Sequence, residues 1–331
     1  MNKLELKDMY LHDNEKQKDT FGDYILKIPV EFNGYVFRKL YRDPIGQSGG
    51  NPTWGELYQY RDNEMYYVCN CVFKEFDYDF PNNAYAEKMW SILGRKVLKD
   101  CRVPEITVVN DRRYNEVGIC SHNIIERTVE DPYDIKTLLF HKYEREELNK
   151  LRSIVPLEDL IECVKIQVND ETEFKRVEKQ VINAILLDCM TNNADRHMNN
   201  WTLIRDKRTE KYTLGLYDHS ASFIDMMKEE KKASVDGWTS TYLSIDPSRG
   251  RNGVGNLGKD VLKYIINKYP ETSRDFFEKL YEELPSFYQN IEYLDSKIDI
   301  KRIRKNFEGK KYYINKILEE REEKIGGEER E

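Results

Sequence analysis

The chain is poor in the features that hold extracellular and membrane proteins together. Its six cysteines, at 69, 71, 101, 120, 163 and 189, are scattered through 331 residues. Cys69 and Cys71 form a C-x-C, but no second pair and no histidine close in sequence completes a zinc set. Reduced, buried thiols in a reducing compartment are the expectation. The longest apolar runs are only a few residues, too short to span a bilayer. The opening stretch MNKLELKDMYLHDNEKQKDT lacks the apolar core of a secretory signal. Positive charge is not in excess either: 53 Lys and Arg against 60 Asp and Glu give −7, so no global field draws nucleic acid, and direct nucleic-acid binding is not expected. These absences predict a soluble cytoplasmic protein without membrane attachment. What the chain does have is aromatic mass. Its 23 Tyr, 13 Phe and 4 Trp supply core material and exclude wholesale disorder. The length exceeds that of a typical single domain and predicts one large or two closely packed lobes.

The first third reads as mixed β. YILKIPVEF and NGYVFRKL carry β-branched and aromatic residues, and IGQSGGNPTWG interrupts them with glycines and a proline. In MYYVCNCVFKEF, alternation puts Val68, Asn70, Val72 and Lys74 on one face and Tyr67, Cys69, Cys71 and Phe73 on the other. A helix over about 83–98 comes next, with Ala86, Met89, Trp90, Leu93 and Val97 as its apolar stripe, then strands EITVVND and EVGICSHNII. ERTVEDPYD reads as a connector. From about Lys136 the pattern turns helical, most clearly over 171–190, where Phe174, Val177, Val181, Ile185 and Cys189 make one side. A hairpin, WTLIRD and YTLGLYD, interrupts, a loop region runs over 220–258, and four helical stretches punctuated by Pro270 and Pro285 reach about Lys324. The expected fold class is α+β: a β-rich N-terminal lobe over 1–126, a mainly helical lobe over 127–324, and a charged tail over 325–331.

The chemistry is concentrated in NNADRHMNNWTLIRDKRTEKYTLGLYDHSASF, residues 192–223. Asp195, Arg196, His197 and Asn200 form D-R-H-x-x-N, and Asp218 lies 18 residues after Asn200, at the far end of the hairpin. An acid, an amide five residues on and a returning second acid are the parts that phosphoryl transfer requires. One carboxylate orients the attacking hydroxyl, while the amide oxygen and the other carboxylate hold divalent metal on the phosphates. His197 either orients the loop or acts in catalysis, and Arg196 is expected to support the loop through a carboxylate or a phosphorylated partner.

The D-R-H-x-x-N loop succeeded by L-Y-D-H-S resembles the HipA-like serine/threonine kinases, bacterial relatives of the protein-kinase and phosphatidylinositol 3/4-kinase folds. The resemblance implies a bilobal protein-kinase-like fold using ATP and Mg²⁺. It makes Asp195 the catalytic base, with His197 beside it, and Asn200 and Asp218 the metal ligands. His-Ser replaces Phe-Gly after Asp218, so switching by a phenylalanine there is not implied. The order strand lysine, then helix acid, points to Lys74 for the phosphates and Glu87 to hold it, with Lys27 or Lys39 and Glu75 as alternatives. The phosphate-covering loop falls on Gly46, Ser48, Gly49 and Gly50. It is neither a Walker loop nor G-x-G-x-x-G, and the resemblance makes Ser48 a site of autophosphorylation. Adenine is expected against the backbone of 122–126, and the segment 224–257 is expected to shape the acceptor site. KNFEGKKYYINKIL reads as an amphipathic packing helix.

The function these parts specify is ATP-dependent phosphorylation of protein Ser or Thr. The expected partners are a protein substrate and, by the resemblance, an antitoxin-like protein. Two rivals stand beside it: a nucleotide-binding regulatory or toxin-partner module without turnover, and a lipid or small-molecule kinase, whose phosphoinositide version is weakened by the lack of basic surface.

Overall fold

A computed structural model describes residues 3–4, 17–18, 24–25, 29–32, 35–42, 53–61, 64–76, 82–111, 116–151, 153–223, 238–246, 255–292, 294 and 298–328. The chain divides into two units, Met1–Lys88 with Pro104–Ile124, and Met89–Val103 with Ile125–Glu331.

Helices, and strands of four or more residues, are numbered in chain order. The first unit is an antiparallel sheet of β1 (Pro29–Phe32), β2 (Tyr35–Arg42), β3 (Thr53–Arg61), β4 (Glu64–Phe76), β5 (Ile106–Asp111) and β6 (Glu116–His122). Their spatial order is β1-β2-β3-β4-β6-β5, with Lys3–Leu4 as a seventh strand on Met65 and Tyr66 of β4. The alternation expected of β4 is observed. Cys71 and Phe73 are buried with Leu57 and Cys120, and Cys69 packs against them, whereas Val68 and Asn70 on the other face are exposed and Val72 and Lys74 half-buried. Helix α1 (Asn82–Val97) covers that other face. Its Ala84 packs with Ile106 and Ile119, and Lys88 Nζ donates to the Ile106 carbonyl at 2.5 Å.

The second unit holds a small sheet, β7 (Glu130–Asp134), β8 (Trp201–Asp206) and β9 (Tyr212–Leu216), in that order and antiparallel. Around it lie α2 (Ile135–Leu139), α3 (Arg145–Lys150), α4 (Leu157–Val168), α5 (Glu171–Thr191), α6 (Gly258–Lys268), α7 (Pro270–Ile291) and α8 (Ile300–Glu328). The central helix is α5. Asp170 caps it, accepting from Glu173 N–H at 2.8 Å, and from Val181 onward almost every side chain is buried. The apolar stripe read from its sequence is buried throughout.

Two local expectations give way. ERTVEDPYD contains β7, which forms because β8 offers it a ladder and survives Pro132 because it is an edge strand. Among the described residues three helices, not four, run from Gly258 onward. Pro285 lies inside α7. The missing N–H is tolerated there because Leu284, Phe287, Tyr288 and Ile291 bury the flanking turns. Among the described residues no helix is long and apolar enough to cross a membrane.

Candidate active site

The loop after α5 starts from a fixed turn. Asn192 is left-handed (φ 53°, ψ 41°), a conformation Asn tolerates better than other side chains. Asn193 then folds back on Asp188, its N–H donating to the backbone carbonyl at 2.9 Å and its Nδ2 to Oδ1 at 2.8 Å.

Arg196 organises the loop beyond this turn. It is 1% exposed, and each of its five N–H donors has an acceptor. Nε and Nη2 meet Asp188 Oδ2 and Oδ1 at 2.7 and 3.1 Å. Nη1 donates to the carbonyls of Asn200 at 2.7 Å and Tyr217 at 2.9 Å. Nη2 also donates to His219 Nδ1 at 2.6 Å. A buried guanidinium is tolerated only when its donors and its charge are matched, and here both are. The support expected of Arg196 is thus a carboxylate, Asp188. His219 in turn stacks on Trp90 of α1, ring centroids 3.5 Å apart and 11° from parallel.

Backbone bonds join the 191–200 and 217–223 loops along their length. Phe223 N–H donates to Thr191 O at 2.8 Å, Ala194 N–H to Ala221 O at 3.4 Å, and Tyr217 N–H to Asn200 O at 3.1 Å. The hairpin sets this register: Trp201 faces Leu216, so Asn200 faces Tyr217 and Asp218 comes one residue beyond. Asp195 and Asn200, and Asp218 18 residues further on, thereby sit on two adjoining loops of one unit.

Each side chain is oriented. Asn200 is 3% exposed, and its Nδ2 donates to Asp195 O at 2.6 Å, so the amide nitrogen faces the Asp195 backbone. The Asp195 side chain is 37% exposed and faces His197 Nε2 at 3.9 Å. His197 Nδ1 accepts from Asn199 N–H at 3.2 Å, and its ring meets Tyr242 edge-on at 5.8 Å. These contacts hold the His197 ring in place beside Asp195. Asp218 is left-handed at φ 55°, a strained position for a non-glycine residue, and its Oδ1 accepts from Ser220 Oγ at 2.9 Å. Tyr217 bonds Asp134, the N-cap of α2. Burial, then the Asp134 charge, pushes its phenol well above the usual range and keeps it a neutral donor.

In the first unit, Lys74 lies opposite Ile119 across the β4–β6 ladder, so the two share a face. Ile119 packs against Ala84 of α1. Glu87, three residues on from Ala84 along α1 and so on the same side of the helix, is 2% exposed. Lys74 and Glu87 thus belong to one side of that sheet, and a carboxylate buried so deeply calls for a cationic partner. Gly46, Ser48, Gly49 and Gly50 lie outside the described residues, as do Lys27 and the stretches 224–237 and 247–254. In the backbone of 122–126, His122 N–H donates to Glu105 O at 2.9 Å and Asn123 N–H to Asn70 O at 3.0 Å.

Among the described residues no three His, Cys, Asp or Glu side chains gather as a metal site. One carboxylate and one amide oxygen fit Mg²⁺, which keeps waters and takes its remaining ligands from phosphate.

Two residues escaped the sequence reading. Asp188 lies on a helical turn whose other residues are buried and apolar. Lys310 sits within the stripe Ile303, Phe307, Ile314, Ile317 of α8 and is itself 3% exposed. A charge inside an apolar stripe was the available signal in both cases.

No protein-family model and no curated protein matches the sequence. Among solved structures, the chain is similar to the Helicobacter pylori proinflammatory kinase CtkA, with a TM-score of 0.60 and 16% identity over 86% of this chain and 96% of that one. It also aligns with HipA of Shewanella oneidensis MR-1, solved with HipB and operator DNA, at a TM-score of 0.47 and 14% identity over 84% of this chain and 66% of that one. The likeness to CtkA shows a kinase-like α+β fold, sheet-rich in its N-terminal part and helical in its C-terminal part.

Proposed function

We propose that this kinase-like chain is a HipA-like protein kinase that transfers the γ-phosphoryl group of ATP to Ser or Thr hydroxyls of protein, its own Ser48 included. The pairing of the two loops carries the reading: it holds two carboxylates and one amide oxygen in a fixed frame, and phosphoryl transfer asks of a protein mainly positioning and charge stabilisation. Asp195, the most exposed of the three, orients the acceptor hydroxyl. As its oxygen bonds the γ-phosphorus and the bond to ADP breaks, the hydroxyl proton passes to Asp195. Asn200 Oδ1 and the Asp218 carboxylate would hold Mg²⁺, which when bound neutralises phosphate charge. Lys74 meets the phosphates and Glu87 holds Lys74, with Gly46, Ser48, Gly49 and Gly50 covering them. His197 keeps the loop in place. A protein acceptor, an antitoxin-like partner and a cytoplasmic location belong to the same proposal.

The test is transfer of radiolabel from ATP, with Mg²⁺, to the chain itself and to generic protein acceptors. Labelling by wild type that disappears in Asp195→Asn and Asp218→Ala supports the reading, and equal labelling by all three overturns it. Stabilisation by ATP without transfer to any acceptor indicates instead a module without turnover. Labelling of lipid vesicles alone indicates a lipid kinase.

A further inference from the structure

Two residues one turn apart on α8 reach both loops of this site. The ammonium of Lys310 donates to Cys189 O and Met190 O, each at 2.9 Å, and to Asn192 Oδ1 at 2.6 Å. Three acceptors therefore meet a group with three N–H donors, and the Trp238 ring lies 4.6 Å from Nζ. The carbonyls are among the last of α5, where the helix dipole gathers negative potential. Asn192 is the left-handed residue from which the Asp195 loop departs. Phe307, 1% exposed, lies against Phe223 with ring centroids 6.4 Å apart. Phe287 of α7 packs on both, at 5.9 and 6.5 Å. Phe223 lies five residues beyond Asp218 and is left-handed at φ 58°, a conformation a bulky side chain adopts only when its surroundings impose it.

We infer that α8 is a positioning element of the site: Lys310 fixes where the Asp195 loop begins, and Phe307 holds the Asp218 loop at Phe223. The catalytic consequence rests on the kinase reading, whereas the clamp itself does not. Neither residue touches substrate. Losing the ammonium leaves buried acceptors without a donor and releases the Asn192 turn, so chemistry suffers while nucleotide affinity is largely kept.

The contact can be broken from either side. Lys310→Met keeps the apolar stem, and Asn192→Gly keeps the left-handed turn but removes the amide, so the second carries the test if the first does not fold. Ile317→Ala, at another buried position of α8, controls for general loss of stability. Amide hydrogen exchange over 193–200 and 217–223 is expected to rise about tenfold in the first two variants and not in the control. Their kcat is expected to fall about a hundredfold with the KM for ATP within about twofold, and the double variant is expected to be no worse than Lys310→Met alone. Unchanged loop exchange, or the same exchange and kcat loss in Ile317→Ala, overturns the inference. Raised loop exchange in variants of a wild type that transfers no phosphate upholds the clamp and removes the kinase reading instead.

Discussion

Arg196 and Asp188 meet as a two-pronged pair, Nε to Oδ2 at 2.7 Å and Nη2 to Oδ1 at 3.1 Å, with side chains only 1% and 2% exposed. The pair ties the loop of Asp195 to the helix that precedes it, eight residues back. Lysine cannot reproduce the fork. Arg196→Lys is expected to lose about 1–3 kcal/mol in urea denaturation, the cost of leaving buried acceptors without the donors that the fork supplied, and to abolish phosphate transfer. Wild-type stability in that variant would show the pair to be incidental.

His219 connects the same guanidinium to Trp90. His219→Phe retains a ring to stack on Trp90 but removes the Nδ1 acceptor, leaving an Arg196 N–H buried without a partner. A loss of about 1–3 kcal/mol is expected, measurable as a lower Tm, with transfer activity reduced alongside it because Asp218 is the adjacent residue.

Lys74 and Glu87 are expected to act as one unit. Lys74→Met should lower kcat/KM for ATP by about a hundredfold, Glu87→Gln should have a smaller effect in the same direction, and the double variant should match Lys74→Met alone. Additive losses in steady-state kinetics would separate the two residues.

The thiols of Cys163 and Cys189, which are buried, and of Cys101, which is half-buried, are expected to be inert. Burial first of all pushes Cys163 up to about 11 and Cys101 and Cys189 up to about 12, so thiolate is scarce at neutral pH. Iodoacetamide at pH 8 should leave these three unlabelled in the native protein and label them in denaturant. Rapid native labelling at any of them would contradict the burial.

Acid should loosen the hairpin through Glu173. Its carboxylate accepts from Arg176 Nε at 2.9 Å and from Tyr212 N–H, at the start of β9, at 2.7 Å. Arg176 above all, against the opposing effect of burial, holds the carboxyl below its usual value. A depressed folded-state pKa means the unfolded chain binds the proton more readily. The stabilisation is therefore full above the ordinary carboxyl range and fades as pH falls through the folded-state value. The difference in urea midpoint between wild type and Glu173→Gln should be constant above about pH 5 and shrink on acidification. A difference that grows as pH falls would reverse the sign.

Periodicity made much of this legible. Strand β4 and helix α5 announce their buried faces in sequence because each has one side to hide, and D-R-H-x-x-N is local enough to read directly. Asp218 could be placed beside Asn200 because a hairpin returns the chain in register. The rest depended on partners that sequence does not name. The strand β7 is polar and proline-bearing and exists through its pairing with β8. Pro285 could not signal that the turns around it are buried. The partners of Lys310 lie 118 to 121 residues away, and no local pattern links them.

The guanidinium of Arg196 has already given every proton it can share. A phosphoryl group arriving on a neighbouring hydroxyl would find nothing to grasp there and would have to draw its counter-charge from another side chain. The order of this loop therefore does not draw on Arg196 pairing with a covalent mark.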